Sequence, residues 1–239
     1  MRVAIVSDIH GNVTAFEAVL TDLKLTSPDL IVHGGDLAHG GANPEEVVDR
    51  LRELGWKGVL GNTDEMLFDP GPLREFASQS AQMQPLLPLL EEMASATGEA
   101  LGPERLAWLR GLPRSWSGGS TALVHASPIS LWRAPYPEAS DAELDSVYRP
   151  LGSALAVYGH VHRSYVRHLP GLTVANTGSV SLSHDGDPRA SYLLIDDGVP
   201  AIRRVVYEVE AEIKALQARA FPHWTWTAKI LAAARPQMP

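Results

Sequence analysis

The sequence predicts an α/β fold, and three observations carry that prediction. Short apolar runs of strand length alternate with amphipathic stretches of helical length over the first 60 residues. Each apolar run closes on Gly, Asn or Asp, residue types that interrupt strands and form turns. Hydrophobic residues make up 45% of the chain, which is enough for a core without disulfides. Strand and helix in alternation indicate parallel strands joined by crossover helices.

The first elements follow from hydrophobic periodicity. Residues 2–7 form an apolar, β-branched run and are predicted to be a buried strand. Asn12 is a favourable N-cap for a helix over residues 13–25, where apolar side chains recur at helical spacing. The pattern then predicts a strand over residues 30–33, a helix over residues 44–54 with Pro44 in its first turn, and a strand over residues 56–60.

Residues 65–118 interrupt this alternation with six prolines and short helical pieces. We interpret them as a helical insertion beside or over the edge of the sheet. Strand periodicity returns over residues 121–125, 154–158, 172–175, 191–195 and 202–208, and the last two flank a turn typical of a hairpin. A helical tail over about residues 210–239 follows. We find no interdomain linker, so residues 1–239 are predicted to form a single domain.

Composition excludes several classes of protein. The chain has no cysteine, which rules out disulfides, zinc–thiolate sites, iron–sulfur clusters and cysteine nucleophiles. No apolar run approaches the ~18 residues of a membrane span, and the N-terminus lacks the apolar core of a signal peptide. We therefore expect a cytoplasmic protein with no membrane partner. The formal net charge of −8 disfavours long nucleic acid as a partner.

Side chains that can bind metal follow the predicted strands. They are Asp8, His10, Asp36, Asn62, His125, His160 and His162. In an α/β sheet, ligands bind outside the carboxyl ends of the strands, so we expect these side chains to meet at one rim. Each of them alone is more typical of a turn or a structural side chain. Together, this many polar groups need a common partner, and a pair of divalent cations is suitable.

Five short blocks carry a family resemblance: Asp8-Ile9-His10, Gly35-Asp36, Gly61-Asn62, His125 and Gly159-His160-Val161-His162. Their order, each at a strand end, resembles the calcineurin-like metallophosphoesterase superfamily over about residues 3–181, and in particular its small bacterial and archaeal phosphodiesterase branch. The resemblance implies an αββα sandwich of mixed sheets flanked by helices. It also implies two metal sites that share Asp36, one with Asp8, His10 and His162 and the other with Asn62, His125 and His160.

The expected cofactor is two divalent metal ions. Imidazole nitrogen and carboxylate oxygen suit Mn²⁺, Fe²⁺, Co²⁺, Ni²⁺ or Zn²⁺. Manganese is the first expectation, because members of the family that the chain resembles commonly use it. The implied activity is a phosphodiesterase acting on small phosphate esters or nucleotides, with a hydroxide that bridges the two ions attacking phosphorus in line.

Several of these residues, and some neighbours, are expected to act on substrate. The expected catalytic set is Asp36, Asn62, Asp64 and His125. Many relatives place a histidine directly after the Asn of the third block, where this chain has Thr63, whose hydroxyl has no useful pKa for general acid catalysis. Asp64 is expected to orient a ligand or a water molecule. Contacts with substrate are expected from His39, Arg133 and His184.

Alternatives remain open from the sequence alone. Within the same class, the chain could be a protein phosphatase or a dinucleoside polyphosphate hydrolase, and the insertion over residues 65–118 would distinguish these. From a different class, it could be a non-catalytic scaffold on the same fold. An oligomer is compatible with the sequence, which does not give the number of subunits.

Overall fold

Two five-stranded mixed sheets form the centre of the protein in a computed structural model that describes residues 1–239. The first sheet contains β1 (Arg2–Val6), β2 (Leu30–His33), β3 (Lys57–Gly58), β9 (Ala190–Asp196) and β10 (Val199–Val205), in the order β10-β9-β1-β2-β3. The second contains β4 (Ser115–Gly118), β5 (Thr121–Val124), β6 (Leu155–Tyr158), β7 (Tyr165–Leu169) and β8 (Leu172–Asn176), in the order β4-β5-β6-β8-β7.

Helices cover the outer faces of both sheets. The eight helices of the chain are α1 (Val13–Thr26), α2 (Pro44–Leu54), α3 (Asn62–Glu65), α4 (Gly71–Ser78), α5 (Leu87–Arg110), α6 (Asp141–Tyr148), α7 (Val209–Ala218) and α8 (Trp224–Ala233). Two single 3₁₀ turns, Gln84–Leu86 and Arg149–Leu151, lie directly before α5 and directly after α6. No helix combines the length and the apolar character needed to cross a bilayer.

The central strands of each sheet are parallel. β1 pairs in parallel with β2, and β2 with β3, while β9 runs antiparallel to β1 and forms the predicted hairpin with β10. In the second sheet, β6 is parallel to both β5 and β8, and the outer strands β4 and β7 are antiparallel to their neighbours. Parallel centres with antiparallel edges make both sheets mixed, as expected.

Side chains alternate between two apolar layers, because successive residues of a strand point to opposite faces. In β1, Val3 and Ile5 pack between the two sheets, whereas Ala4 and Val6 pack against the helices that cover the first sheet. In the second sheet, Tyr158 packs with the helix α6 on the outer face. The αββα sandwich is therefore confirmed.

The structure departs from the predicted elements in the insertion. Within residues 65–118, α4 and α5 are helical, but the last four residues form the strand β4, which pairs with β5. Trp116 explains the difference, because it packs against the layer between the sheets. α5 is kinked at Gly102, which has φ 69° and directly precedes Pro103.

Other elements were not predicted or have shorter bounds. β3 covers only Lys57–Gly58 of the predicted residues 56–60. The sequence pattern indicated neither α6 nor β7, and the predicted helical tail is divided into two helices, α7 and α8. The tail is held to the body by Phe221 and Leu231, which pack with Met93 of α5.

Candidate metal centre

The seven predicted metal ligands meet at one rim of the sandwich. Asp8 and His10 follow β1, Asp36 follows β2, and His125 follows β5; the others are Asn62, at the first position of α3, and His160 and His162, after β6. Six of the seven residues are buried and His160 is partly buried. Both sheets therefore contribute to the cluster.

One half of the cluster contains two carboxylates and two imidazoles. Ligand atoms of Asp8, His10, Asp36 and His162 all lie within 4.8 Å of one another. His162 Nε2 is 3.1 Å from Asp8 Oδ1 and 3.2 Å from His10 Nε2. His10 Nε2 is 3.7 Å from Asp36 Oδ2. This spacing suits one cation bound to four side chains.

The other half is built around Asn62. Its Oδ1 is 2.9 Å from His125 Nε2 and 2.8 Å from His160 Nδ1. His125 Nε2 is also 3.4 Å from Asp36 Oδ1. The two oxygens of Asp36 thus face different halves of the cluster, which is the position that a shared ligand requires.

Backbone carbonyls hold the proton on Nδ1 of three of the imidazoles. Nδ1 of His10 donates to the His39 carbonyl at 2.7 Å, Nδ1 of His125 donates to the Gly34 carbonyl at 2.8 Å, and Nδ1 of His162 donates to the Leu182 carbonyl at 2.6 Å. In a neutral imidazole, a proton on Nδ1 leaves a lone pair on Nε2. Hydrogen bonding of the outer ring nitrogen is typical of metal-binding histidines.

The resulting donor set fits divalent cations. With Nδ1 of both rings protonated, Nε2 of His10 and Nε2 of His162 would bring two lone pairs to 3.2 Å from each other. Such a contact is repulsive unless a proton or a cation lies between the two nitrogens. A mixture of imidazole, carboxylate and amide ligands without thiolate suits first-row divalent metals.

In the cluster, burial and neighbouring charges shift the pKa values of the side chains in opposite directions. Burial alone would raise the pKa of the Asp8 and Asp36 carboxyls, but His162 beside Asp8 and His125 beside Asp36 hold both pKa values below the ordinary range. Burial disfavours protonated His125, yet the charge of Asp36 raises its pKa to about 9. Metal binding to such a cluster would release protons, since ligands bind as carboxylate and neutral imidazole.

Unusual backbone conformations hold the ligands in place. Asp8, His10, Asp36, His160 and His162 all have left-handed φ values, between 52° and 63°. This conformation costs a residue with a side chain of order 1 kcal/mol and is concentrated at functional sites. Hydrogen bonds from Asp8 N to Gly35 O and from His10 N to Asp36 O, at 3.0 and 2.9 Å, join the two ligand loops and help to maintain it.

Asp64, one of the predicted catalytic residues, is buried beneath the ligand loops. Its carboxylate accepts hydrogen bonds from Leu37 N at 2.9 Å and from Gly61 N at 3.2 Å. Burial, followed by the charge of Asp36, raises the pKa of this carboxyl to about 7. Both donors are backbone N–H groups next to the predicted ligands Asp36 and Asn62, so the Asp64 carboxyl faces the ligand loops and does not line the cavity.

A cavity of about 890 Å³ opens over the cluster and contains two of the three predicted substrate contacts. His39 and His184 line it, and the ring of His184 lies 4.7 Å from that of His162. Arg133 does not line it: its guanidinium bonds to Gln79 and lies 5.3 Å from the centre of the Phe76 ring. The expected contact of Arg133 with substrate is therefore not supported by its position.

Sequence reasoning missed most of the outer wall of this cavity. Trp132 and Tyr136 come from the loop after β5, Arg163 follows the last ligand block, and Trp226 and Arg235 come from the tail. The only available signal was the concentration of methionine and aromatic residues in the insertion and the tail, which core packing explains equally well.

Comparison with known proteins identifies the family to which the chain belongs. The sequence model of the calcineurin-like phosphoesterase superfamily domain matches residues 1–197, and the chain belongs to this family. The ligand cluster described above lies wholly within the matched residues.

Individual relatives cover nearly the whole chain. It is 28% identical over 245 residues to "Uncharacterized protein MJ0912" of Methanocaldococcus jannaschii, covering 93% of this chain and 94% of that protein. A metallophosphoesterase structure from Sphaerobacter thermophilus is 26% identical with a TM-score of 0.78, covering 98% of this chain and 99% of that one. The hypothetical protein PH1004 from Pyrococcus horikoshii OT3 has the same fold, with 19% identity, a TM-score of 0.83 and 99% coverage of both chains.

Proposed function

We propose that this protein is a phosphodiesterase of small phosphate esters that works with two divalent cations, manganese being the first candidate. The position of Asp36 carries the proposal, because its two carboxylate oxygens face His10 in one half of the cluster and His125 in the other. A complete set of seven side chains with ligand chemistry supports two ions rather than one. The family supports hydrolysis of a phosphoester as the reaction.

Bound divalent cations supply Lewis-acid activation of a phosphoryl oxygen and lower the pKa of coordinated water to about 7. The chain supplies the geometry. His10, His125 and His162 direct Nε2 inward because Nδ1 of each is held by a backbone carbonyl. Thr63 donates its backbone N–H to Asp36 Oδ1 at 2.9 Å and thereby orients the shared carboxylate.

Thr63 also bears on the choice of ester. It lines the cavity, and its hydroxyl has no hydrogen-bond partner. A threonine hydroxyl is too weak an acid to protonate a departing alkoxide at neutral pH. We therefore expect preference for esters whose leaving group departs without protonation, such as aryl or nucleotide esters. A rate that is independent of leaving-group pKa would contradict this expectation.

The test is metal analysis combined with hydrolysis of bis(p-nitrophenyl) phosphate. We expect about two equivalents of metal per chain, loss of hydrolysis after chelation, and recovery on addition of Mn²⁺. Asp36→Asn should lower the metal content of the protein, and it should reduce kcat by about 100-fold or more, since it removes the charge that both ions share. Asp141→Asn, at a carboxylate that is 68% exposed on α6, is the matched control and should change neither.

The outcomes separate the proposal from the scaffold alternative. A protein that binds no metal even when Mn²⁺ is supplied, and hydrolyses no ester, would be a non-catalytic scaffold on this fold. One that binds two metals but hydrolyses only phosphopeptides or dinucleoside polyphosphates would keep the reaction class and refute the proposed substrate.

A further inference from the structure

The cavity over the metal centre continues into a region with apolar walls. We call this region the apolar annex and define it by Met66, Phe76, Met83, Met93, Trp132 and Trp226. These side chains come from separate parts of the chain, including α4, α5, α8 and the loop after β5. The annex and the ligands His10, Asn62, His160 and His162 line one continuous cavity of about 890 Å³.

We propose that the annex binds an apolar organic group of the substrate, an aromatic ring or an alkyl chain, while the phosphate lies at the metal centre. This inference rests on the proposed function and narrows it to one class of ester. Ligand sites typically combine an apolar lining with a few convergent polar groups, and this cavity has both.

The side chains of the annex offer apolar surface and little else. The indole N–H of Trp132 donates to Glu65 Oε2 at 2.9 Å, and that of Trp226 donates to the Gln237 carbonyl at 2.7 Å. The only hydrogen-bond donor of each indole is thus already bonded to the protein, so the surface available to a ligand is the face of the ring. The three methionines are flexible and polarisable, and such side chains adapt to apolar ligands of different shape.

Exposure of this surface to water is unfavourable without a ligand. Phe76, Met83, Trp132 and Trp226 are only partly buried, although each belongs to a type that gains free energy from burial. The rings of Phe76 and Trp132 lie 5.6 Å apart and form a single aromatic patch. An apolar group placed there would remove this patch from water.

The distribution of charge disfavours a chain of phosphates as the occupant. Among the residues that line the cavity, the only Arg or Lys side chains are Arg163 and Arg235. Both terminal nitrogens of the Arg163 guanidinium already donate to Glu138, at 2.9 and 2.5 Å. Additional phosphates would need cationic partners, and the annex has none.

The test uses a series of p-nitrophenyl alkyl phosphodiesters, from methyl to hexyl. All members release the same p-nitrophenolate, so leaving-group chemistry is constant and only the apolar group changes. We expect kcat/KM of the manganese-loaded protein to rise about fourfold per methylene until the annex is filled. A flat series would overturn the proposal.

Matched variants connect the effect to the annex. Met83→Gln makes one wall polar and should lower the ratio of hexyl to methyl kcat/KM at least threefold. Leu86→Gln is the control: it is a similarly half-buried apolar residue of the same segment, but it does not line the cavity. An equal ratio in Met83→Gln and the unmodified protein would overturn the assignment.

Binding separates failure of this inference from failure of the proposed function. We would titrate methylphosphonate and hexylphosphonate and follow quenching of tryptophan fluorescence, which Trp132 and Trp226 should report. Tighter binding of hexylphosphonate supports the annex even if no ester is hydrolysed, a result that would refute only the proposed function. Equal binding of both phosphonates would overturn the annex whatever the activity.

Discussion

His33, at the end of β2, is a fully buried imidazole whose two ring nitrogens have no hydrogen-bond partner. Burial lowers its pKa from the ordinary value of 6.5 to about 4. The unfolded chain therefore takes up a proton at a higher pH than the folded chain. The contribution of neutral His33 to stability is fully present above pH 6.5 and is lost as the pH falls toward 4, by about 3 kcal/mol in total.

We expect His33→Leu to reduce this acid sensitivity. Urea unfolding in EDTA should give a difference in unfolding free energy between pH 7.5 and pH 4.5 that is about 2 to 3 kcal/mol smaller than in the unmodified protein. His168→Leu, which removes an exposed histidine, should leave the difference unchanged. The interpretation of His33 would be refuted if the two variants behaved alike.

Neighbouring residues in one block have quite different roles. In Gly61-Asn62-Thr63-Asp64, the side chain of Asn62 faces the imidazoles, that of Thr63 faces the cavity, and that of Asp64 faces the backbone below. The short helix α3 explains this, since consecutive side chains of a helix point in different directions. The type of residue indicates what it can do, but its direction decides whether it does so to metal, substrate or backbone.

At the scale of elements, glycines allow two ligand loops to approach. A Cβ on Gly61 would lie 2.0 Å from Asp36 Oδ1 and 2.2 Å from Asp36 N, which no side-chain movement can relieve at the backbone atom. We expect Gly61→Ala to displace Asp36, to abolish metal-dependent hydrolysis, and to destabilise the fold by about 1 to 3 kcal/mol, as overpacking does.

Gly98 of α5 provides the matched control for that substitution. A Cβ there would make only an ordinary contact, 3.6 Å from the Leu67 carbonyl. Gly98→Ala should therefore keep activity and stabilise the protein by about 0.5 to 1 kcal/mol, because alanine favours a helix. Thermal unfolding and kcat measured on both variants test the prediction. Retained activity in Gly61→Ala would show that the loops can separate without harm.

The sequence allowed prediction of elements whose signal is local. The boundaries of β1, α1, β2 and α2 were predictable to within one or two residues, because each has its own periodicity and, for α1, a side-chain cap from Asn12 to Ala15 N at 2.8 Å. The ligands were predictable because the residues of each block are adjacent in the sequence and follow a strand.

Features that depend on distant partners were not predictable. β7 pairs with β8 along its whole length, and Trp116 of β4 packs against the apolar layer between the two sheets. The annex depends most strongly on distant partners, since its side chains come from the insertion, the loop after β5 and the tail. No spacing in the sequence connects these three segments.

At the scale of the whole molecule, the metal centre lies across the junction of the two sheets. Asp8, His10 and Asp36 follow strands of the first sheet, while His125 and His162 follow strands of the second. The sheets otherwise meet through the apolar layer between them. Ions bound by side chains from both sheets would cross-link the sandwich, and the unfolded chain could not offer the same ligands at once.

Metal binding should therefore stabilise the entire fold. At a free Mn²⁺ concentration 100 times the dissociation constant, a single site contributes about 2.7 kcal/mol, which for a chain of this size raises Tm by about 5 to 10 °C. We expect calorimetry to show that shift between chelated and Mn²⁺-loaded protein, and Asp36→Asn to lose most of it. The exposed-site control Asp141→Asn should keep the whole shift. If chelation left the Tm of the unmodified protein unchanged although metal was released, the unfolded chain would bind the ions as well as the folded protein does, and the cross-link would be refuted.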